Sequence, residues 1–181
     1  MAESKKVLAI VGSLRKGSLN RELAVAAQAA APAGVEVAIA EGIADVPFYN
    51  EDIDGAEAPA AAVALREQIA SADALLFVAP PNNGTISAVQ KNVIDWASRP
   101  YGESSLTGKP SAIVGIGHRL DTTFGDAERA ITIAGGVVPQ GAVAEFTVAS
   151  LEGKSPREHA AVADGLRSVI GNVLAAEPAQ A

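Results

Sequence analysis

Val7-Leu8-Ala9-Ile10-Val11-Gly12-Ser13-Leu14-Arg15-Lys16-Gly17-Ser18-Leu19-Asn20-Arg21-Glu22-Leu23-Ala24 is the stretch that decides how this chain folds. It opens with five consecutive apolar residues, a run of strand length rich in Val and Ile, as expected of a strand buried on both faces. A polar loop with two glycines follows, and from Leu19 the apolar residues recur at helical spacing. Strand, loop and helix in this order make the first half of a βαβ unit.

Working outward, the alternation repeats. Strands are expected at Lys6 to Val11, Val35 to Ala40, Ala74 to Ala79, Ser111 to Gly115 and Gly141 to Val148. Helices are expected at Leu19 to Ala31, Ala58 to Ala72, Ser87 to Ser98, Thr123 to Ala134 and Pro156 to Ala175, each opening near a Ser, Asp, Thr or Pro. The pattern predicts an α/β fold with helices on both faces of a parallel sheet and ligands beyond the carboxyl ends of the strands. With no internal repeat and no dividing linker, residues 1–181 are expected to form one domain, with a frayed tail over about 175–181.

Composition narrows the function. Hydrophobic residues make up 49% of the chain and aromatics 4%, so the core must be built from Ala, Val, Ile and Leu. Fourteen Lys and Arg against 21 Asp and Glu give a net charge of -7, a field that repels polyanions and argues against nucleic acid. There is no cysteine, and His118 and His159 are too few for a histidine cage, so no metal is expected. The polar start, Met1 to Lys6, and the short apolar run after it predict neither signal peptide nor membrane span, hence a cytoplasmic protein. Asn83-Gly84-Thr85 matches a glycosylation sequon that has no meaning off the secretory route.

The first loop is where an anion site forms most readily. A helix N-terminus offers unpaired N–H groups, the glycines allow close approach, and hydroxyls, an amide and a guanidinium add donors. A Walker loop is ruled out because Ser18 follows Gly17, and a dinucleotide fingerprint because Ser13 and Leu14 follow Gly12. The plain alternative is a turn in which Ser18 caps the helix and Arg15 and Lys16 are solvated.

Gly12-Ser13-Leu14-Arg15, with Ser18 and Asn20 after it, resembles the phosphate loop of the NAD(P)H-dependent FMN reductase family, whose members include quinone, chromate and azo-dye reductases. A second stretch, Pro80 to Arg99, resembles the family's Pro-Glu-Tyr-Asn motif and its continuation Leu-Lys-Asn-Ala-Ile-Asp-Trp, aligned without a gap. The resemblance runs from Lys5 to about Leu174. It implies a flavodoxin-like three-layer sandwich with strand order 2-1-3-4-5. It also implies FMN with its phosphate on Ser13, Arg15, Ser18, Leu19 and Asn20, and its ring against Pro80, Pro81, Asn82, Asn83, Gly84 and Thr85.

The sequence departs from the family where Pro81 replaces Glu and Asn82 replaces Tyr, which removes an N–H and an aromatic contact from the flavin loop. In relatives the loop after the fourth strand is of a form like Gly-Gly-x-Gly-Gly and lines the edge of the flavin; here Gly115 and Gly117 remain, His118 and Arg119 follow, and the resemblance implies Gly115, Gly117 and His118 as further FMN contacts. These two would bind a substrate anion or the phosphate of NADPH, or supply a proton near neutral pH, unless they simply occupy a solvated turn. His159, beside Glu158, reads as surface. Val89, Val93, Trp96 and Ala97 share a helical face, so Trp96 reads as core or subunit contact, and Asp95 and Arg99 read as an i, i+4 pair.

By resemblance, the activity is electron transfer from NADPH or NADH through FMN to a flavin, quinone or similar small acceptor, with Asn82 and His118 as the candidate catalytic residues. Homodimers or homotetramers joined in part by the helix from Ser87 to Arg99 are implied in the same way. Two other readings share the fold: an electron-carrier flavodoxin, and a specialised flavoenzyme or flavin-binding protein of a biosynthetic pathway with little general NAD(P)H reductase activity.

Overall fold

The computed structural model describes residues 4–176. Its sheet has five parallel strands, β1 (Lys5–Val11), β2 (Val35–Ile39), β3 (Ala74–Val78), β4 (Ser111–Ile116) and β5 (Val143–Phe146), in the order β2-β1-β3-β4-β5. That is the order expected. The helices are α1 (Leu19–Ala30), α2 (Ala60–Ala70), α3 (Ala88–Ala97), α4 (Leu120–Ile133) and α5 (Ala160–Ala175). The expected tail over about 175–181 lies almost wholly outside the described residues.

The alternation inside β1 builds both layers. Val7, Ala9 and Val11 face α1 and α5, while Leu8 and Ile10 face α2, α3 and α4. Both faces of the central strands are buried, so the covered stretch of β1 from Val7 to Val11 is wholly apolar, and all five residues of β3 are fully covered. Ala24, Ala26, Ala27 and Ala30 give α1 a nearly smooth buried face. Helix and sheet therefore pack closely without aromatic side chains.

Most bounds move by a residue or two, and β5, α4 and α5 differ from the expected ranges for local reasons. β5 is four residues rather than eight, because Pro139 and Ala142 close a turn before it, and Thr147 and Ser150 exchange side-chain-to-backbone bonds after it. α4 begins three residues early, since Leu120 is buried and starts the stripe that continues through Phe124, Ala127 and Ile131. The last helix is broken. Ser155 caps a short 3-10 turn over Pro156–Glu158, and His159 turns extended to cap α5, its carbonyl accepting from Val162 and Ala163. His159 is thus half-buried, not on the open surface, and its Nδ1 has no partner.

Candidate functional site

The loop between Gly12 and Ser18, whose own amides donate to Val78 and Arg15, leaves its inner donors free. Among the described residues, the amides of Ser13, Leu14, Arg15, Lys16 and Gly17 donate to no acceptor. Ser18 occupies the N-cap position of α1, but its hydroxyl makes no capping bond, while Arg15 and Lys16 are exposed as the plain-turn reading has them. The Arg15 guanidinium folds back over the loop, with Nη1 3.7 Å from where Gly17 would carry a Cβ. Of the described cations, Arg15, Lys16, Arg21, Arg119 and Lys154 make neither ion pair nor hydrogen bond. Three of these stand in this loop or the first turn behind it, in a chain whose net charge is -7. Free amides, a free hydroxyl and an unpaired guanidinium are what a phosphate monoester requires. The residues present fit the phosphate end of FMN.

Asn20 does something else. Its Nδ2 donates to the carbonyl of Ile116 and its Oδ1 accepts from the amide of Ile116, both at 3.0 Å and both buried. The side chain expected on the phosphate instead ties the start of α1 to the end of β4. Leu19, half-buried, packs against the apolar layer on the α1 side.

Residues Asn82 to Thr85 form a closed two-residue turn. The Asn82 amide donates to the Thr85 carbonyl and the Thr85 amide to the Asn82 carbonyl, each at 3.0 Å, while Asn83 and Gly84 have φ of 52° and 79°. This is a type I′ geometry, for which Asn-Gly is the preferred pair, so backbone conformation alone accounts for both residues. Thr85 Oγ1 donates to Asp126 at 2.6 Å, which fastens the turn to α4.

The loops also interlock through missing side chains. A Cβ on Gly12 would lie 2.7 Å from Pro80 Cδ, one on Gly115 2.4 Å from the Ala79 carbonyl oxygen, and one on Gly117 2.5 Å from Pro81 Cγ. At these positions glycine is required by protein packing, whatever ligand lies above. His118 and Arg119 are exposed at the head of α4, and Arg119 adopts the left-handed region at φ 55°. The first, third and fourth loops therefore meet at one edge of the sheet, carrying Ser13, Arg15, Ser18, Asn82 and His118 with them.

The sequence profile of the NADPH-dependent FMN reductase family matches residues 5–147. The chain belongs to that family. A quinone reductase from Pseudomonas putida is 44% identical over 116 residues, 64% of this chain and 62% of the relative. A 2-hydroxy-1,4-benzoquinone reductase from a Burkholderia species is 44% identical over 110 residues, 61% of this chain and 59% of that protein. The chain thus matches less than two thirds of the length of these relatives. Among solved structures, a flavoenzyme NAD(P)H:(acceptor) oxidoreductase from Paracoccus denitrificans superposes with a TM-score of 0.72 at 26% identity, covering 93% of this chain and 97% of that one.

Within this family of FMN reductases, the second motif divides into the exposed turn from Asn82 to Thr85 and a buried scaffold on α3. Asn92 accepts from the Tyr49 amide at 2.8 Å and donates to the Pro47 carbonyl at 2.9 Å, and Trp96 Nε1 donates to the same carbonyl at 2.8 Å. Trp96 is fully buried, as its spacing predicted, and with Asn92 it bolts the long segment after β2 to α3. Asp95 pairs with Lys91, not with Arg99, whose Nε reaches the Tyr49 hydroxyl at 3.3 Å. Hydrogen bonds from Arg66 hold the Asp54 carboxyl below the usual carboxylate range, and this pair locks the far end of the same segment at 2.9 Å.

None of these tertiary partners is visible from local pattern. Gln90 was also missed. It stands where the family's motif has Leu, fully buried, with an unpartnered Oε1 3.3 Å from the position of a Gly12 Cβ. A polar residue inside an apolar helical stripe was the available signal.

Proposed function

We propose that the chain, as a single flavodoxin-like domain, is an FMN-dependent oxidoreductase that moves electrons from NADPH or NADH to a flavin, quinone or similar small acceptor. The observation that carries this reading is the first loop, with five unsatisfied amides, a free Ser18 hydroxyl and the unpaired Arg15 guanidinium at the carboxyl end of β1. Bound FMN would supply the chemistry, accepting hydride from the nicotinamide and returning two electrons to the acceptor. Arg15, Ser13 and Ser18 hold the phosphate, and the rigid turn from Asn82 to Thr85 supports the ring. His118 and Asn82 stand exposed at the same edge, where they orient the second substrate or exchange a proton with it.

The test is direct. The purified protein, or the apoprotein with added FMN, should show a flavin spectrum that bleaches with NADPH or NADH and recovers on adding a quinone. A protein that stays colourless at saturating FMN overturns the reading, and bound FMN without NAD(P)H oxidation moves it to the specialised flavoenzyme.

The reading includes a cytoplasmic setting and self-association. No described helix is long and apolar enough to cross a membrane. A groove of about 690 Å³ runs between α3 and α4, lined by Ile94, Ala130 and Ile133, with Ile133 66% and Tyr101 74% exposed. A second copy of the chain fits this face, since large apolar side chains at such exposure mark association surfaces. Ile133→Glu should convert a dimer or tetramer to monomer in sedimentation, and a monomeric parent protein would dismiss the interface.

A further inference from the structure

The first loop has a second neighbour besides the flavin loops. On its β2 side lies a cavity of about 540 Å³, bounded by Ser13, Lys16 and Arg21 on one side and by Ile39, Glu41 and Ile43 on the other. Arg15 and Ser18 are not among its walls. β2 is the edge strand and pairs with β1 alone, so this is the crevice beyond the carboxyl ends of two adjacent parallel strands.

Three observations say what it would hold. First, charge: Lys16 and Arg21 both line it without partners, and Glu22, the nearest acid in sequence, is occupied by Arg157 at 2.7 Å. A phosphate monoester carries about two negative charges, which the free amides and Arg15 already match, so the two further cations are left over for a second phosphate. Second, Glu41 stands two residues past the end of β2 with its backbone bracketed by Gln68. Its amide donates to Gln68 Oε1 at 2.9 Å and its carbonyl accepts from Gln68 Nε2 at 3.2 Å, while its carboxylate has no partner among the described residues. An acidic side chain after the second strand is suited to accept from ribose hydroxyls and to reject a 2′-phosphate. Third, Ile39 and Ile43 supply apolar contact for a base, and the volume accommodates a nucleoside.

We propose that this cavity binds the adenosine 5′-phosphate part of a dinucleotide with a free ribose diol. The proposal rests on the reading of the first loop as the FMN phosphate site, since that loop is the shared wall. Two ligands carry this chemistry, FAD and NADH. In FAD the second phosphate continues from the flavin's own; in NADH it arrives beside resident FMN. NADPH is disfavoured by Glu41.

The experiment titrates the apoprotein with FMN and with FAD by flavin fluorescence, then titrates the FMN-loaded protein with ADP-ribose by calorimetry. FAD binding about tenfold tighter than FMN identifies FAD as the source. ADP-ribose binding that competes with NADH identifies NADH. In either arm Arg21→Ala should weaken the adenylate ligand about tenfold or more, as for a lost charge-assisted bond, and leave FMN affinity within about twofold. Glu41→Gln should reduce the preference for adenosine 5′-phosphate over its 2′-phosphorylated form. FMN binding with no FAD advantage and no ADP-ribose binding overturns the cavity proposal alone. If neither flavin binds, the FMN reading falls and the cavity proposal that rests on it falls with it.

Discussion

Replacing Asn20 with Ala separates scaffold from ligand contact at the first loop. The change removes two buried hydrogen bonds of 3.0 Å and leaves both the amide and the carbonyl of Ile116 without partners, in a residue only 3% exposed. Each lost bond costs about 0.5–1.5 kcal/mol, rising to about 1–3 kcal/mol where the stranded group stays dry, so the sum for two stranded groups is about 2–6 kcal/mol. At about 2–4 °C per kcal/mol for a chain of this size, the apoprotein should melt about 4–24 °C lower. The assay is thermal or urea unfolding without flavin, set beside an FMN titration of the same variant. Asn20→Asp is the companion: its carboxylate still accepts from the Ile116 amide but faces the carbonyl with no donor, so it too should be destabilised. An Asn20→Ala apoprotein that melts within a degree or two of the parent, yet has lost FMN affinity, would refute the argument and return Asn20 to the phosphate.

Arg15→Ala should do the reverse, weakening FMN about 10- to 150-fold through loss of a charge-assisted bond worth about 1.5–3 kcal/mol while apoprotein stability holds; unchanged affinity in a fluorescence titration excludes Arg15 from the site. Gly117→Ala puts a Cβ 2.5 Å from Pro81 Cγ and should cost about 1–3 kcal/mol as overpacking. Adding Pro81→Ala should recover most of that loss, and additive losses in a double-mutant cycle would show that the two residues do not touch. Asp54 gives a pH signature. Its folded pKa is depressed by Arg66, so its stabilisation is complete above the ordinary carboxyl value of about 3.9 and is lost as pH falls through the lower folded value. The stability gap between the parent and Asp54→Asn, measured as urea midpoints from pH 7 down to pH 3, should be flat to about pH 5 and then close; a gap independent of pH would contradict the assignment.

How much of this was legible in the chain depends on the range of the interaction. Strand and helix periodicity report burial on one element, which is why the five strands, their count and the buried face of α3 were readable from Val7 to Val11 or from Val89, Val93 and Trp96. The breakdown comes where a side chain crosses to another element. Nothing near Asn20 announces Ile116, 96 positions away. Nothing near Asn92 announces Pro47 either. Boundary errors have the same origin: a helix opening at a Thr or Asp is expected from Thr123, yet the buried side chain of Leu120 starts it three residues earlier. The loop chemistry after β1 was legible because its elements lie within one short segment. The cavity beside it was not, because its other wall is 20 and more residues further on.

Pro81 packs its ring where the retained Gly117 leaves room, so the altered third loop and the fourth loop form one packed unit. The type I′ turn from Asn82 to Thr85 is unaffected, since its geometry depends on Asn83 and Gly84 and on backbone bonds that any residue at position 82 can make. What changes is the chemical face at the sheet edge: a carboxylate and a phenol give way to a small amide, with an imidazole and a guanidinium exposed nearby. If FMN binds, its affinity should therefore depend mainly on the first loop, and the choice of acceptor on Asn82, His118 and Arg119. His118→Ala should then alter kcat/KM for quinone while leaving the FMN dissociation constant unchanged, and the opposite pattern would place the imidazole on the cofactor.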